Sequence, residues 1–358
     1  MKFAHTERTL ELIEKVKAFM DAHVYPVEKE VGQFYHNPDN LWKVSPIVEG
    51  LKEKAKEAGL WNLFLSKEYG DLGGGLTNLE YATLAEEMGK IVWAAEVFNC
   101  HAPDTGNMEV LAKYGSDELK EKYLTPLLDG KISSAFLMTE PDVASSDATN
   151  IETSIVKDGD EYVINGRKWF SSNAMHPNCE MFIVMGKTDP EAHMYEQQSM
   201  IVVPADAEGI TIVRPLAILG NYSSPEGHAE VLLKNVRVPA ANMLVGEGKG
   251  FEIAQGRLGP GRIHHCMRMI GMAQRSLELM CARVTQRTSF GNKLEKFSSI
   301  RFDVAKSRCE IEQARLLTLQ AAYQIDELGV FGAMSSVSMI KIVCPQMLLN
   351  VVDRAIQA

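Results

Sequence analysis

The densest run of chemistry-bearing side chains is Ala135-Phe-Leu-Met-Thr-Glu-Pro-Asp-Val-Ala-Ser-Ser-Asp147, a short apolar stretch that breaks into small hydroxyl residues and acids. Such a loop can offer backbone N–H groups and the hydroxyls of Thr139, Ser145 and Ser146 to a flat polar ring or a phosphate, without net positive charge. A strand end closed by an Asx- or Ser-stabilised turn accounts for the same residues taken alone. Two other features tempt a chemical reading and fail it. His264 and His265 are adjacent on a helical stretch, so they point in different directions, and no carboxylate or cysteine completes a metal set. Gly246, Gly248 and Gly250 are spaced unlike a dinucleotide fingerprint and lack a strand–helix–strand context, which makes them a flexible join between domains.

The elements that must position these residues fall into three sections. From residue 6 to about 128, Ile13, Val16, Met20 and Val24 recur at three- and four-residue spacing opposite Glu14, Lys15 and Lys17, and helical stretches follow at Leu51 to Ala58, Leu79 to Met88 and Leu119 to Leu124. Between about 131 and 243 the period shortens to that of strands: Glu161 to Phe170, Met181 to Gly186, Met200 to Val203, Ile210 to Arg214 and Val231 to Val238. Turn signals at Asp158-Gly159, Asn165-Gly166 and Ser224-Pro225 separate them, as an antiparallel sheet or small barrel requires. The helical period then returns, with one stripe at Ile263, Met267, Ile270, Leu277, Cys281 and Val284 and another at Val304, Ile311, Ala314 and Leu317. The expected fold is α+β: a helical domain over 1–130, an antiparallel β domain over 131–245 and a helical bundle over 246–358.

A net charge of −10 argues against a nucleic-acid or anionic-membrane partner, since either needs a broad basic surface. The six cysteines are scattered, without CxxC pairs, which fits a reducing compartment. No continuous apolar run reaches the length of a membrane span, and Glu7, Glu11 and Glu14 suit neither a signal nor a transit peptide, so a cytoplasmic location is expected, with an organelle matrix as the alternative.

The Met138-Thr-Glu-Pro-Asp-Val-Ala-Ser-Ser-Asp147 stretch resembles the signature of the acyl-CoA dehydrogenase family. Further matches follow in order: Glu68-Tyr69-Gly70, Asn165-Gly-Arg-Lys-Trp-Phe-Ser-Ser172 and Gln286-Arg-Thr-Ser-Phe-Gly291. Ala102-Pro-Asp-Thr-Gly-Asn107 and Gln255-Gly-Arg-Leu-Gly-Pro-Gly-Arg-Ile-His-His265 are similar to the branch also found fused to aminoglycoside-phosphotransferase-like kinase domains, and as free-standing bacterial chains, the kind this chain resembles. The resemblance implies FAD as cofactor. It implies that Phe136, Met138 and Thr139 line the flavin ring, that Ser145 belongs to the same loop, and that Ser146 reaches the FAD pyrophosphate or the thioester arm. Phe170, Ser171 and Ser172 match the second flavin segment, with the last hydroxyl near flavin N5. Arg287 and Phe290 match an element that contacts the FAD of a neighbouring subunit, as does Gln357. Gly259, Gly261 and Arg262 fall on the helix that borders the thioester arm. Without the resemblance, Trp169 and Phe170 are ordinary strand packing, Arg287 a solvated helix-end charge, Phe290 a core residue, and Pro260-Gly261 a helix start.

The reaction implied is FAD-dependent removal of two hydrogens from a fatty acyl-CoA, giving a trans-2-enoyl-CoA and passing electrons to an electron-transferring flavoprotein, in a homodimer or homotetramer. It needs a carboxylate base, which the resemblance places beyond Ala358; the other family position for it is Gly261 here, so no catalytic base is assigned and the chain is expected to be a C-terminally truncated form that binds FAD weakly. Two departures from the family pattern bear on flavin contact: one extra residue between Glu140 and Asp147, and Ser298 where many members carry glutamine. An oxidase, or a non-catalytic acyl-CoA- or flavin-binding subunit, are the alternatives.

Overall fold

The computed structural model describes residues 5–358. Its helices are α1 (Glu7–Phe19), α2 (Glu28–His36), α3 (Pro46–Glu57), α4 (Asn78–Gly89), α5 (Ala94–Val97), α6 (Asp104–Tyr114), α7 (Asp117–Leu119), α8 (Thr125–Leu128), α9 (Gly250–Gln286), α10 (Ser298–Gly332) and α11 (Met334–Gln357). The strands are β1 (Ser133–Leu137), β2 (Ser154–Asp158), β3 (Glu161–Ser172), β4 (Cys179–Lys187), β5 (Gln198–Pro204), β6 (Ile210–Pro215) and β7 (His228–Pro239), followed by a short hairpin of β8 (Thr288–Ser289) and β9 (Asn292–Lys293). The chain divides into two compact units, one of Met1–Glu28, Leu51–Cys100 and Gly259–Ala358, the other of Lys29–Gly50 and His101–Leu258.

The sheet lies in the second unit, in the order β1-β4-β2-β3-β7-β6, with β5 on β4. It is not wholly antiparallel: β1 runs parallel to β4, and β2 touches β4 in the same sense at Ser154 and Lys187. Nothing in β1 distinguishes the two senses locally, because Ser133–Leu137 is almost wholly buried and shows no alternation. Met181–Met185 of β4 is likewise buried throughout. Ile155, Tyr162, Ile164, Phe182, Val184, Ile201, Val231 and Val238 form the core. Helix α6 is tied to the start of β1 by polar contacts: Asp104 accepts from Ser133 Oγ (2.6 Å) and the Ser134 N–H (2.7 Å), and Asn107 Nδ2 donates to Ser134 Oγ (2.9 Å). The join at Gly246–Gly250 is packed against β5. The Gly248 N–H donates to Ser199 Oγ (2.9 Å), and a Cβ on Gly250 would stand 2.8 Å from the Gln198–Ser199 backbone, so these glycines permit close approach.

In the first unit α4, α9, α10 and α11 pack by their buried stripes. Helix α4 starts on a capping box of Thr77 and Glu80, and Asp326 of α10 accepts from the N–H groups of Asn78 and Leu79, both at 2.9 Å. Helices α4 and α9 meet through glycines, since a Cβ on Gly89 would lie 2.4 Å from Arg268 Cα and one on Gly271 only 2.1 Å from the Glu86 carbonyl.

Two local signals give way here. Pro260-Gly261 does not start a helix: α9 begins at Gly250 and runs through Pro260, because buried Ile253, Ala254, Ile263 and Met267 on either side outweigh the one intrahelical bond that proline forfeits. Helix α11 is long and apolar enough, by length and composition, to cross a membrane. Lys341, Pro345, Gln346 and Asn350 interrupt its apolar run, which is why no continuous span is legible in the sequence. Its Val337, Ile340, Cys344, Met347 and Val351 are buried within the unit, whereas Ile342, Leu349 and Ile356 on its other side are exposed.

Candidate functional site

In the second unit the ends of β1 and β3 come together. The Trp169 N–H donates to the Thr139 carbonyl at 3.0 Å, so the signature stretch and the Asn165–Ser172 stretch lie side by side. Behind them stands Lys168, whose side chain has no exposure and whose three donors are all used: on the Met138 carbonyl (2.9 Å), Glu140 Oε1 (2.8 Å) and the Met185 carbonyl (2.7 Å). Glu140 in turn accepts from the Glu152 N–H (2.8 Å) and the Thr153 N–H (3.0 Å), closing the loop between β1 and β2. Burial pulls the Lys168 ammonium down to about 8 against the opposing pull of Glu140. Burial raises the Glu140 carboxyl, but the Lys168 charge and the donated hydrogen bonds outweigh it and hold it below the usual range.

Past Lys168 the β3–β7 register breaks, and Phe170 takes a left-handed conformation (φ 46°) with its ring 42% exposed. A non-glycine residue in that region stores strain. This bulge overturns the ordinary strand-packing reading of Phe170. Ser171 is buried with no partner for its Oγ among the described residues, whereas Ser172 Oγ is 2.9 Å from His228 Nδ1 on the paired strand. Burial lowers the His228 pKa, which favours the neutral ring. In the loop, Ser145 Oγ accepts from the Glu140 N–H (3.0 Å) and donates to its carbonyl, and Ser146 is exposed.

The two branch-like motifs also meet in this unit. Arg257 stacks over the Phe136 ring, 4.0 Å from its centroid, and donates from Nε and Nη2 to Asn107 Oδ1 at 3.3 and 3.2 Å. Gly106 allows this, since a Cβ there would lie 2.9 Å from Arg257 Nε.

The remaining expected residues belong to the first unit. Arg287 follows α9 and is exposed, and its carbonyl accepts from the Leu294 N–H at 3.0 Å to close the β8–β9 hairpin. Phe290 sits at the hairpin tip with φ 50° and 94% exposure, so it is not a core residue. Gln357 is exposed at the end of α11. Gly259 faces Val330, against which a Cβ would come to 2.5 Å, whereas Gly261 faces open space; Arg262 Nη1 lies 3.7 Å from Met334 Sδ. His264 is buried edge-on to Tyr81 and His265 is exposed, pointing apart as helical neighbours must. Lys168, Glu140, His228 and Arg257 went unassigned from the sequence. Lys168, Glu140 and Arg257 stand inside the motifs read above, and only the tertiary fold shows that Lys168 and Glu140 pair.

Comparison with known proteins places this arrangement. The acyl-CoA dehydrogenase N-terminal, middle and C-terminal domain models match residues 6–131, 135–236 and 248–358. The acyl-CoA dehydrogenase family member 11 of Gallus gallus is 54% identical over an alignment of 360 positions that covers 99% of this chain and 46% of that protein, so the chain spans about half the length of that curated relative. A putative acyl-CoA dehydrogenase from Mycobacterium abscessus superposes with a TM-score of 0.94 at 52% identity, covering 99% of this chain and 88% of that one. Butyryl-CoA dehydrogenase from Megasphaera elsdenii does so with a TM-score of 0.81 at 26% identity, covering 100% and 89%. With three family domains in order and identity above half across nearly its whole length, this chain belongs to the acyl-CoA dehydrogenase family.

Proposed function

We propose that this protein carries out FAD-dependent α,β-dehydrogenation of a fatty acyl-CoA to the trans-2-enoyl-CoA, with electrons passing to an electron-transferring flavoprotein. The observation that carries the reading is the pair of strand ends at Thr139 and Trp169. There a half-exposed Phe170 in a strained bulge, a buried unpartnered Ser171 hydroxyl and the Ser172 hydroxyl are grouped beside the carbonyls of β1. A flat apolar surface edged by hydroxyl and amide groups fits an isoalloxazine ring, and backbone strain held in place by surrounding packing is the mark of a functional site.

Phe136 to Thr139 and Phe170 to Ser172 would hold the ring, Ser145 would shape the loop, and Ser146 would reach the pyrophosphate or the thioester arm. Arg287, Phe290 and Gln357 would serve the FAD of a second copy, the arginine as a charge-assisted donor to phosphate. Gly259, Gly261 and Arg262 would border the thioester arm, and the open space at Gly261 leaves room there. When bound, FAD supplies the hydride acceptor. The protein's own residues orient the acyl chain and exclude water around the Cα–Cβ bond. A dimer or tetramer is supported by the apolar side chains that α10 and α11 expose, among them Phe302, Phe331, Ile342 and Leu349.

Anaerobic titration of the full-length, FAD-loaded protein with acyl-CoAs of graded chain length tests the reading. Bleaching of the flavin absorbance is the expected outcome and ranks the chain lengths. Tight acyl-CoA binding without bleaching would make the protein a non-catalytic acyl-CoA-binding subunit, and peroxide release in air would make it an oxidase.

A further inference from the structure

The Lys168–Glu140 pair has no explanation in stability. Taking two charges out of water is costly, and well-packed apolar replacements of buried ion pairs are commonly neutral or stabilising. Its placement supplies another explanation. The three acceptors on Lys168 come from three different places: the end of β1 at Met138, the loop at Glu140, and β4 at Met185. Glu140 extends the brace to the backbone of Glu152 and Thr153. Met138 and Lys168 are each one residue from Thr139 and Trp169, which join the two ligand-facing stretches. Three donors at tetrahedral angles on a flexible stem suit this divergent set of oxygens, whereas the planar fork of arginine does not.

We propose that Lys168 and Glu140 are the positioning residues of the cofactor site: the buried ammonium holds the Met138 strand end and the Glu140–Thr153 loop in register with Trp169 and Phe170 before ligand arrives, and the site loosens when the lysine loses its proton. This rests on the FAD reading given above. A neutral amine has two N–H groups for three acceptors, so one of Met138, Glu140 and Met185 is released on deprotonation. Glu140 is the charged group that faces Lys168, while β1 and β4 present it with carbonyls. Its ammonium, held down to about 8 by burial, brings that release within the working range of a binding experiment.

The experiment compares the full-length wild type with Lys168→Met and with the double variant Lys168→Met/Glu140→Gln, in which no buried charge is left alone. Thermal unfolding without cofactor, FAD affinity by fluorescence, the fine structure of the bound flavin band and amide exchange at Glu152 and Thr153 are measured. The single variant is expected to lose exchange protection at those amides and FAD affinity on the order of tenfold or more, as misplacement of a preorganised site does. The double variant regains the unfolding midpoint but not the affinity. Wild-type affinity weakens with one-proton dependence near pH 8, and that of the double variant stays flat. Wild-type affinity in the double variant, or a flat wild-type profile from about pH 7 to about 9.5, would overturn the proposal. If the wild type binds no FAD, the cofactor reading fails on its own, and the exchange data still decide the brace: unchanged protection at Glu152 and Thr153 in Lys168→Met sinks it.

Discussion

At the scale of single residues, the site separates strain from stability. Phe170 holds a left-handed φ of 46°, is 42% exposed and stands edge-on to Trp169 at 4.9 Å, so removing the ring forfeits only part of the packing of a fully buried aromatic. Phe170→Gly relieves roughly 1 kcal/mol of left-handed strain against a similar loss of backbone entropy. Cofactor-free stability should therefore fall by only about 1–2 kcal/mol by denaturant titration, while FAD affinity falls; unchanged FAD affinity would contradict this. Lys168 behaves in the opposite way. Lys168→Met leaves the Glu140 carboxylate buried and alone, a loss of about 3–5 kcal/mol. The pH dependence has a definite sign. Folding lowers this pKa from 10.5 to about 8, so between those values the unfolded chain binds more protons. The contribution of Lys168 to stability is thus fully present above about 10.5 and is lost as pH falls through about 8. Cofactor-free stability attributable to this group should rise over a window in which cofactor affinity declines, which parallel unfolding and binding titrations of the wild type and the double variant would reveal.

At the scale of elements, helix crossings in the first unit depend on glycine. Gly271→Ala would drive a methyl to within 2.1 Å of the Glu86 carbonyl, and this contact is with backbone, which cannot rotate away. Overpacking of this kind costs roughly 1–3 kcal/mol, and Gly271→Ala should shift the denaturation midpoint by that much despite alanine's better helix propensity. Gly261, on the same helix, has nothing within reach of a Cβ, so Gly261→Ala should stabilise by about 1 kcal/mol and serves as the control. The strands Glu161–Ser172 and Cys179–Lys187 were legible to within two residues at each end, because their runs of β-branched and aromatic residues end in turn signals. The parallel pairing of β1, the passage of α9 through Pro260 and the bulge at Phe170 were not, since each is decided by what packs against the segment.

For the whole molecule, the expected assembly is at least a dimer, because Arg287 and Phe290 are exposed and placed by resemblance against the cofactor of a second copy. Light scattering of the FAD-loaded protein should return a dimer or tetramer, and Arg287→Ala should weaken FAD binding without changing the fold of either unit. A monomer that keeps its FAD would sink the shared-site reading. The order of helical, β and helical sections, and the family, were fixed by sequence, because hydrophobic period and four spaced motifs survive without knowledge of long-range contacts. The sequence also named the loop that carries the hydroxyls. The tertiary structure alone decided that Lys168 pairs with Glu140, that Arg257 covers Phe136 and that Ser172 meets His228. Each of these pairs joins residues 28 to 121 positions apart (168 and 140, 257 and 136, 228 and 172). A local pattern carries no information on such distances, whereas the burial that makes the contacts matter exists only once the strands have closed around them.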